Sequence, residues 1–344
     1  MQKDKLYMQR CIDLALLGIG EVGSNPMVGA VIVLDDVIIG EGYHQKFGEA
    51  HAEVNAINAV KDKSLLNKAT IYVSLEPCSH FGKTPPCADL LINSNFKKVV
   101  IGCQDTFSEV SGRGIEKLKA AKIDVVLGVL EEECRDLNRR FFTFHEQKRP
   151  YVILKWAQTK DGFLDRLRDD DTNKINWISS KETKTLVHKW RSEESSILVG
   201  KNTILNDNPT LTVRELTGKN PIRIILDSHL SLSLNFNVFN KDAETVVLNL
   251  EKEEIIEGLK FKKILNFDID SILKALYDLN IQSVFVEGGA QTLQSFISSN
   301  LWDEVRVIVG NTTFKEGLKA PVLAQIPTSN FSFSSDMIYL YKKI

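Results

Sequence analysis

No run of apolar residues in this chain of 344 approaches the ~18 that a membrane span requires. Cysteine is scarce: five residues, an odd number, which argues against a disulfide-stapled scaffold. Charge of one sign is lacking too. Lys and Arg total 43 against 45 Asp and Glu, a formal net charge of −2, without the basic excess that usually meets a nucleic-acid backbone. The opening stretch, MQKDKLYMQRCIDLALLG, has neither the uninterrupted apolar segment nor the cleavage site of a signal peptide, so a cytoplasmic location is expected. Neither an internal repeat nor a low-complexity tract is visible. What remains is 43% hydrophobic and 26% charged, ordinary for a soluble globular chain and too apolar for a disordered one. At ~150 residues per domain the length suggests two domains.

Apolar runs alternate with helical patterns along the first half. Leu6 to Leu17 reads as an amphipathic helix, followed by a break at Gly23 to Pro26. Strand patterns at Val28–Leu34 and Val37–Ile39 flank a turn at Asp35-Asp36. Further on, Ala52–Val60, Ala88–Ile92, Gly114–Ala121 and Glu131–His145 read as helices, with strands at Thr70–Ser74, Lys98–Ile101 and Asp124–Leu127. A basic hinge, Gln147-Lys148-Arg149-Pro150, precedes a second start at Tyr151–Trp156. Helices at Lys181–Arg191, Ile269–Leu279 and Ala290–Ser299 then alternate with strands at Ser196–Val199, Ile222–Asp227, Thr245–Leu248, Ser283–Glu287 and Glu304–Val309. The expectation is two α/β domains, 1–147 and 148–344.

The most specific signal is His51-Ala52-Glu53, then Pro77-Cys78 and Pro85-Pro86-Cys87. One imidazole and two thiolates make the three-ligand set of a catalytic zinc, whose fourth position is left to water. Zinc lowers the pKa of that water toward ~7. Glu53, close to the ligands without being one, is the candidate proton carrier. His51 and Cys87 each open an expected helix, and Cys78 follows a strand. The plainer alternatives are a structural zinc site with His80 as fourth ligand, or free cysteines beside a helix-capping histidine.

The H-x-E and P-C elements belong to nucleotide deaminases, but their usual P-C-x-x-C spacing is replaced here by eight residues, Ser79 to Pro86. Together with Asn25-Pro26-Met27-Val28-Gly29-Ala30, Gly42-Tyr43-His44 and Gly48-Glu49-Ala50-His51-Ala52-Glu53, the run Leu75-Glu76-Pro77-Cys78-Ser79-His80-Phe81-Gly82-Lys83-Thr84-Pro85-Pro86-Cys87 closely resembles the bifunctional deaminase–reductases of riboflavin biosynthesis. The resemblance extends over essentially the whole chain. It implies a cytidine-deaminase-like zinc domain followed by a dihydrofolate-reductase-like α/β domain. The first would hydrolyse the 2-amino group of 2,5-diamino-6-ribosylamino-4(3H)-pyrimidinone 5′-phosphate, with His51, Cys78 and Cys87 on zinc, Glu53 moving protons, and Asn25, His44, His80 and Lys83 on the substrate. Each of these four, taken alone, has an ordinary turn or surface reading. Cys11, Cys103 and Cys134 lie in helical or strand patterns and read as packing residues.

The second half carries no G-x-G-x-x-G. Val286-Glu287-Gly288-Gly289-Ala290, between a strand and a helix, is on its own a weak phosphate-binding signal. The family resemblance continues through Tyr151 to Lys155 with Asp161-Gly162, Trp177-Ile178-Ser179, Ile197 to Gly200, Asn206-Asp207-Asn208-Pro209, Leu211-Thr212-Val213-Arg214 and Ile222 to Ser228. It implies hydride transfer from NADPH to C1′ of the ribosylamino group, with Lys155, Asp207 and Glu287 around that centre. Gln158, Trp177, Thr203, Asp207, Ser228 and the turn Gly289, Ala290, Gln291, Thr292, Leu293, Gln294 and Ser295 would face NADPH. Arg191, Leu211, Arg214 and Glu287 would face the substrate, the two arginines suiting its phosphate. One stretch departs from the family pattern: residues 163–176 are longer and heavily charged, with Ile175 where a substrate-contacting serine is usual. That departure motivates an alternative, a deaminase whose second domain only binds ligand or joins subunits. A nucleic-acid-editing deaminase is opposed by the near-neutral charge and the long cysteine spacer. The expected partners are a small pyrimidine ribotide and further copies of the chain, as a dimer or tetramer, with no nucleic acid and no membrane.

Overall fold

Asp35 and Asp36 close the first hairpin with left-handed backbone, φ 48° and 64°, the turn geometry whose twist matches that of paired antiparallel strands. In the computed structural model, which describes residues 2–80, 85–106, 111–167 and 176–343, the hairpin joins β1 (Gly29–Leu34) to β2 (Val37–Tyr43). The chain divides into two compact units, Met1–Gln147 and Lys148–Ile344.

The first unit runs α1 (Gln2–Leu16), β1, β2, α2 (Ala52–Ala59), β3 (Thr70–Leu75), α3 (Cys87–Asn93), β4 (Lys98–Cys103), α4 (Arg113–Ala120), β5 (Asp124–Leu127), α5 (Glu131–Leu137) and α6 (Arg139–Gln147). Its sheet has the order β2-β1-β3-β4-β5. β1 is antiparallel to β2 and β3, whereas β3, β4 and β5 are parallel. Successive strand residues face opposite sides, and the two faces build separate cores. Ala30, Ile32, Ile71, Val73, Val99 and Ile101 pack under α2, α3 and α4. Val31, Val33, Tyr72 and Val100 pack under α1, α5 and α6. The single helix expected over Glu131–His145 is two, because Asn138 leaves the helical path: its Oδ1 accepts the Met27 N–H at 2.8 Å and its Nδ2 donates to the Met27 carbonyl at 2.9 Å.

The second unit contains β6 (Tyr151–Gln158), β7 (Phe163–Asp165), α7 (Lys181–Ser192), β8 (Ser196–Gly200), α8 (Lys201–Asp207), β9 (Ile222–Leu226), β10 (Thr245–Asn249), β11 (Glu254–Ile256) and β12 (Leu259–Lys263). These are followed by α9 (Ile269–Asp278), β13 (Ser283–Val286), α10 (Ala290–Ser298), β14 (Glu304–Val309), β15 (Leu318–Lys319), β16 (Ser329–Phe333) and β17 (Asp336–Lys342). The main sheet reads β11-β12-β10-β9-β8-β13-β6-β14-β17-β16. From β12 to β14 every pair is parallel, and the flanking pairs are antiparallel. β13 enters between β6 and β8, so the strand ends at Gly200, Leu226 and Val286 crowd one edge of the unit. Open parallel sheets bind ligands at such carboxyl ends. Sequence patterning passed over α8, whose one buried residue is Ile204 and which therefore shows no apolar stripe. It also passed over the short strands β7, β11, β12, β15 and β16, and over β17, which lies inside the sheet between β14 and β16. No helix among the described residues is long and apolar enough to cross a membrane.

Glycine is required where α2 lies on β2. A Cβ on Gly42 would stand 2.4 Å from the Ala56 nitrogen, and one on Gly40 would stand 2.5 Å from the Ala56 carbonyl oxygen. These are backbone atoms and cannot swing away. Gly42→Ala should therefore cost ~1–3 kcal/mol and lower the unfolding midpoint of the first unit by several degrees, read by circular dichroism. An unchanged midpoint would show that α2 does not need this approach.

Candidate active sites

Helix α2, seated on the two glycines, begins beside Cys78 and Cys87. His51 occupies its N-cap position in extended backbone (φ −72°, ψ 164°), yet the imidazole makes no capping hydrogen bond. Nδ1 instead lies 3.6 Å from Cys78 Sγ and 3.3 Å from Cys87 Sγ. In a tetrahedral zinc site, with Zn–N near 2.0–2.1 Å and Zn–S near 2.3 Å, an N···S edge spans roughly 3.5 Å. The donor set and its spacing therefore fit zinc. All three ligand atoms lie within 4.8 Å of one another, and among the described residues His80 does not join them.

Cys78 follows β3, and Cys87 is the first residue of α3. The Cys87 N–H donates to Cys78 Sγ at 3.3 Å, and the Ala88 N–H donates to the Cys78 carbonyl at 3.1 Å. Backbone N–H groups at a helix start favour a thiolate. The hydrogen bond from Cys87, aided by His51 against the cost of burial, holds Cys78 down to about 4. Behind them stands a residue whose role the sequence reading did not identify. Glu76 is 3% exposed and accepts the backbone N–H groups of Asp105, Gly112, Gly114 and Ile115 at 2.9–3.2 Å. It fastens the strand end that delivers Cys78 to the start of α4. A carboxylate directly before Pro-Cys was the available signal.

Glu53, in the first turn of α2, is 3% exposed and lies outside the three-donor cluster. Burial first, and then the neighbouring Cys78, raises its carboxyl to about 6. The His44 ring stands edge-on to His51 at a centroid distance of 5.6 Å. With Nδ1–H donating to the Ala50 carbonyl at 3.1 Å, Nε2 is left to accept from the Asn25 amide at 3.1 Å. Burial lowers the pKa of His44, in keeping with this neutral tautomer. His80 is exposed, and Lys83 lies outside the described residues. Cys11, Cys103 and Cys134 are fully buried in the α1–β3–α5 core, where burial pushes all three thiols up.

In the second unit a cleft of about 980 Å³ opens at the strand ends. Glu287, directly after β13, is its most constrained group. Arg191 of α7 grips the carboxylate through Nε at 2.6 Å and Nη2 at 2.9 Å, and Lys155 of β6 reaches it at 3.2 Å. The three side chains are only 9–13% exposed. Burial alone would raise the Glu287 pKa, but the two cations overcome it and hold the carboxyl down to about 2. Burial lowers that of Lys155, and Arg191 adds to the effect. The sequence reading offered the Arg191 fork to a substrate phosphate; in the structure Glu287 occupies that fork.

The cleft also gathers Trp177, Thr203, Asp207, Arg214, Ser228 and the Gly289 to Thr292 turn with Ser295. A Cβ on Gly200 would stand 2.8 Å from Thr292 Oγ1, and one on Gly288 would stand 2.9 Å from Thr292 Cβ. The start of α8 and the start of α10 thus pack against each other through the Thr292 side chain, and the backbone at the Gly289 turn opening α10 forms a cradle that fits the phosphates of a dinucleotide. Four expected residues do not line the cleft. Leu211 and Leu293 bury their side chains in apolar cores. Gln158 accepts from the Trp156 indole, and Gln294 accepts the Val322 N–H. Ile175 and most of the charged stretch around it lie outside the described residues. His188, which the sequence reading passed over, does line the cleft. Its position three residues before Arg191 on one helix was the available signal.

Residues 1–103 match the family described as the cytidine and deoxycytidylate deaminase zinc-binding region, and residues 150–316 match the RibD C-terminal domain. The chain is 44% identical over 322 residues to riboflavin biosynthesis protein RibD of Aquifex aeolicus, covering 92% of this chain and 89% of that one. It is 33% identical over 326 residues to the RibD of Escherichia coli, covering 89% and 87%. Among solved structures, it is similar to a diaminohydroxyphosphoribosylaminopyrimidine deaminase/5-amino-6-(5-phosphoribosylamino)uracil reductase of Thermotoga maritima. That likeness has a TM-score of 0.88 and 39% identity, over 100% of this chain and 99% of that one. Acinetobacter baumannii RibD matches with a TM-score of 0.89 and 30% identity, over 99% of each chain.

The Glu287 cluster carries a pH prediction. A carboxyl whose folded pKa is depressed stabilises the fold above its unfolded pKa of 4.5 and loses that contribution as pH falls toward 2. The shift corresponds to about 3 kcal/mol. Glu287→Gln, which mimics the protonated side chain, should be less stable than the wild type by about that amount near neutrality, with the gap narrowing below pH 4.5 and largely gone near 2. Tryptophan fluorescence reads this unit alone, since Trp156, Trp177, Trp190 and Trp302 all belong to it. A gap that is constant with pH would contradict the ion-pair account.

Proposed function

The chain belongs to the RibD family, a deaminase and a reductase of riboflavin biosynthesis joined in one polypeptide, and from that premise we propose which residues carry each half-reaction. The observation that carries the first assignment is the His51, Cys78 and Cys87 cluster beside a buried Glu53. The second rests on the Lys155–Glu287–Arg191 cluster in the cleft.

In the first half-reaction water replaces the 2-amino group of 2,5-diamino-6-ribosylamino-4(3H)-pyrimidinone 5′-phosphate, and ammonia leaves. His51, Cys78 and Cys87 would hold a zinc ion, which would supply a water acidified toward a pKa of ~7. Glu53 Oε is placed to take a proton from the attacking water, return it to a ring nitrogen, and assist departure of the amine as ammonia. A carboxyl raised to about 6 is suited to both directions of transfer near neutral pH. His44 orients Asn25, leaving the Asn25 amide oxygen for a donor on the pyrimidine. His80 and Lys83 complete the substrate contacts, Lys83 as a point charge for the 5′-phosphate.

In the second half-reaction the ribosyl group of 5-amino-6-(5-phosphoribosylamino)uracil becomes ribityl. The C1′–O4′ bond breaks as a proton moves from the glycosylamine nitrogen to O4′. A bound NADPH would supply the hydride for C1′, and a further proton returns to the nitrogen. Lys155 Nζ is the proton donor to that nitrogen, while Glu287 fixes the ammonium and Asp207 bounds the reacting centre at the end of α8. The cradle at Gly289, Ala290, Gln291 and Thr292, with Thr203, Ser228, Ser295 and Trp177, holds the cofactor. Arg214 faces the substrate. A cytoplasmic location and a homo-oligomeric state, dimer or tetramer, belong to the same proposal.

The two assignments separate by substitution. Glu53→Ala should abolish ammonia release from the diaminopyrimidine ribotide while NADPH oxidation on supplied deaminated ribotide continues. Asp207→Ala should slow reduction by at least ~10²-fold and leave ammonia release in place. If either substitution removed both activities from a folded chain, the division of labour would be wrong.

A further inference from the structure

His188 lies on α7 three residues before Arg191 and is 1% exposed, yet it forms part of the cleft lining. Its Nδ1 faces the backbone N–H of Arg214 at 3.2 Å. That N–H is a donor, so Nδ1 is the acceptor and the ring proton sits on Nε2. No described residue accepts a hydrogen bond from Nε2. Burial, with Arg191 and Arg214 close by, holds the ring's pKa down to about 4. The side chain is therefore a neutral donor that lines the cleft, fixed at Nδ1 and with Nε2 unpartnered among the described residues.

The neighbouring cations decide what it would meet. Lys155 and Arg191 are committed to Glu287. Lys184 pairs with Glu215. Arg214 donates to Thr212 Oγ1 at 3.3 Å and has no carboxylate at ion-pair distance among the described residues. The guanidinium with capacity for an anion is thus carried on the same short segment whose backbone His188 anchors. We propose that His188 Nε2–H donates a hydrogen bond to the phosphate of the reductase substrate beside Arg214, making His188 a substrate-specificity residue. The proposal rests on the reductase reading above and adds a neutral donor to its phosphate recognition. A neutral ring suits this place: it adds a hydrogen bond without a further positive charge beside Arg191 and Arg214.

The test is steady-state reduction by the full chain, with 5-amino-6-(5-phosphoribosylamino)uracil and with its dephosphorylated riboside. His188→Asn keeps an amide near Nδ1 for the Arg214 N–H and deletes the cleft donor. It should raise the KM for the ribotide by roughly tenfold or more, the usual effect of losing a hydrogen bond to a charged group. The KM for NADPH should not follow, and kcat/KM on the riboside should match that of the wild type within about twofold. His188→Gln, whose amide nitrogen reaches the Nε2 position, should recover most of the KM. A purely structural role would depress both substrates alike. An unchanged KM for the ribotide, or an equal loss on the riboside, overturns the proposal. Failure of the wild type to reduce the ribotide would instead defeat the reductase reading. The His188 contact is then decided by ribose 5-phosphate: it stands if this probe shifts the His188 imidazole resonances of the wild type and falls if it does not.

Discussion

A carboxylate withdrawn from water stays an anion only if cations or hydrogen-bond donors meet it, and Glu287 is met by two cations. That constraint organises the second unit. Arg191 must reach from α7, Lys155 from β6, and the turn after β13 must deliver the carboxylate between them. Five basic and five acidic side chains line the cleft as a whole, so the positive charge is local: Lys155 and Arg191 against Glu287, with Arg214 nearby. The same grip commits Nε and Nη2 of Arg191 to Glu287, whereas Arg214 has no carboxylate at ion-pair distance among the described residues.

The first unit solves a similar problem with different groups. Its anion at the site is the Cys78 thiolate, met by Cys87 at the start of α3 and by the His51 imidazole, a donor set that would hold zinc. Geometry does the rest. Gly40 and Gly42 let α2 settle on β2, which brings His51 to the sulfurs and Glu53 to the same end of the helix. Glu76 ties the Cys78 strand end to four backbone N–H groups. In both units the chemistry sits where strand ends and helix starts converge, and the sheets behind them supply the rigidity.

The sequence made these two sites legible to different degrees. The zinc donors could be read because each falls in a short motif whose chemistry has few other uses, and because each lies at an expected helix start or strand end. The α/β alternation and the hinge before Tyr151 were likewise visible in local patterning. Arg191 and Glu287 are separated by 96 positions, and local pattern cannot reveal that they share a contact, so the arginine fork was assigned to phosphate. Helix α8 escaped for want of an apolar stripe. His188 escaped because a lone histidine on an amphipathic helix looks like any core residue. The break at Asn138 escaped because its partner, Met27, lies 111 positions away.

The central claim is that one chain carries out deamination and then reduction. The most direct measurement follows the near-ultraviolet absorbance of NADPH with zinc-loaded full-length protein and the diaminopyrimidine ribotide as sole substrate. The account predicts loss of that absorbance only after ammonia release begins, and none in Glu53→Ala. Ammonia release without NADPH loss would contradict it, leaving a deaminase whose second unit does not reduce the product.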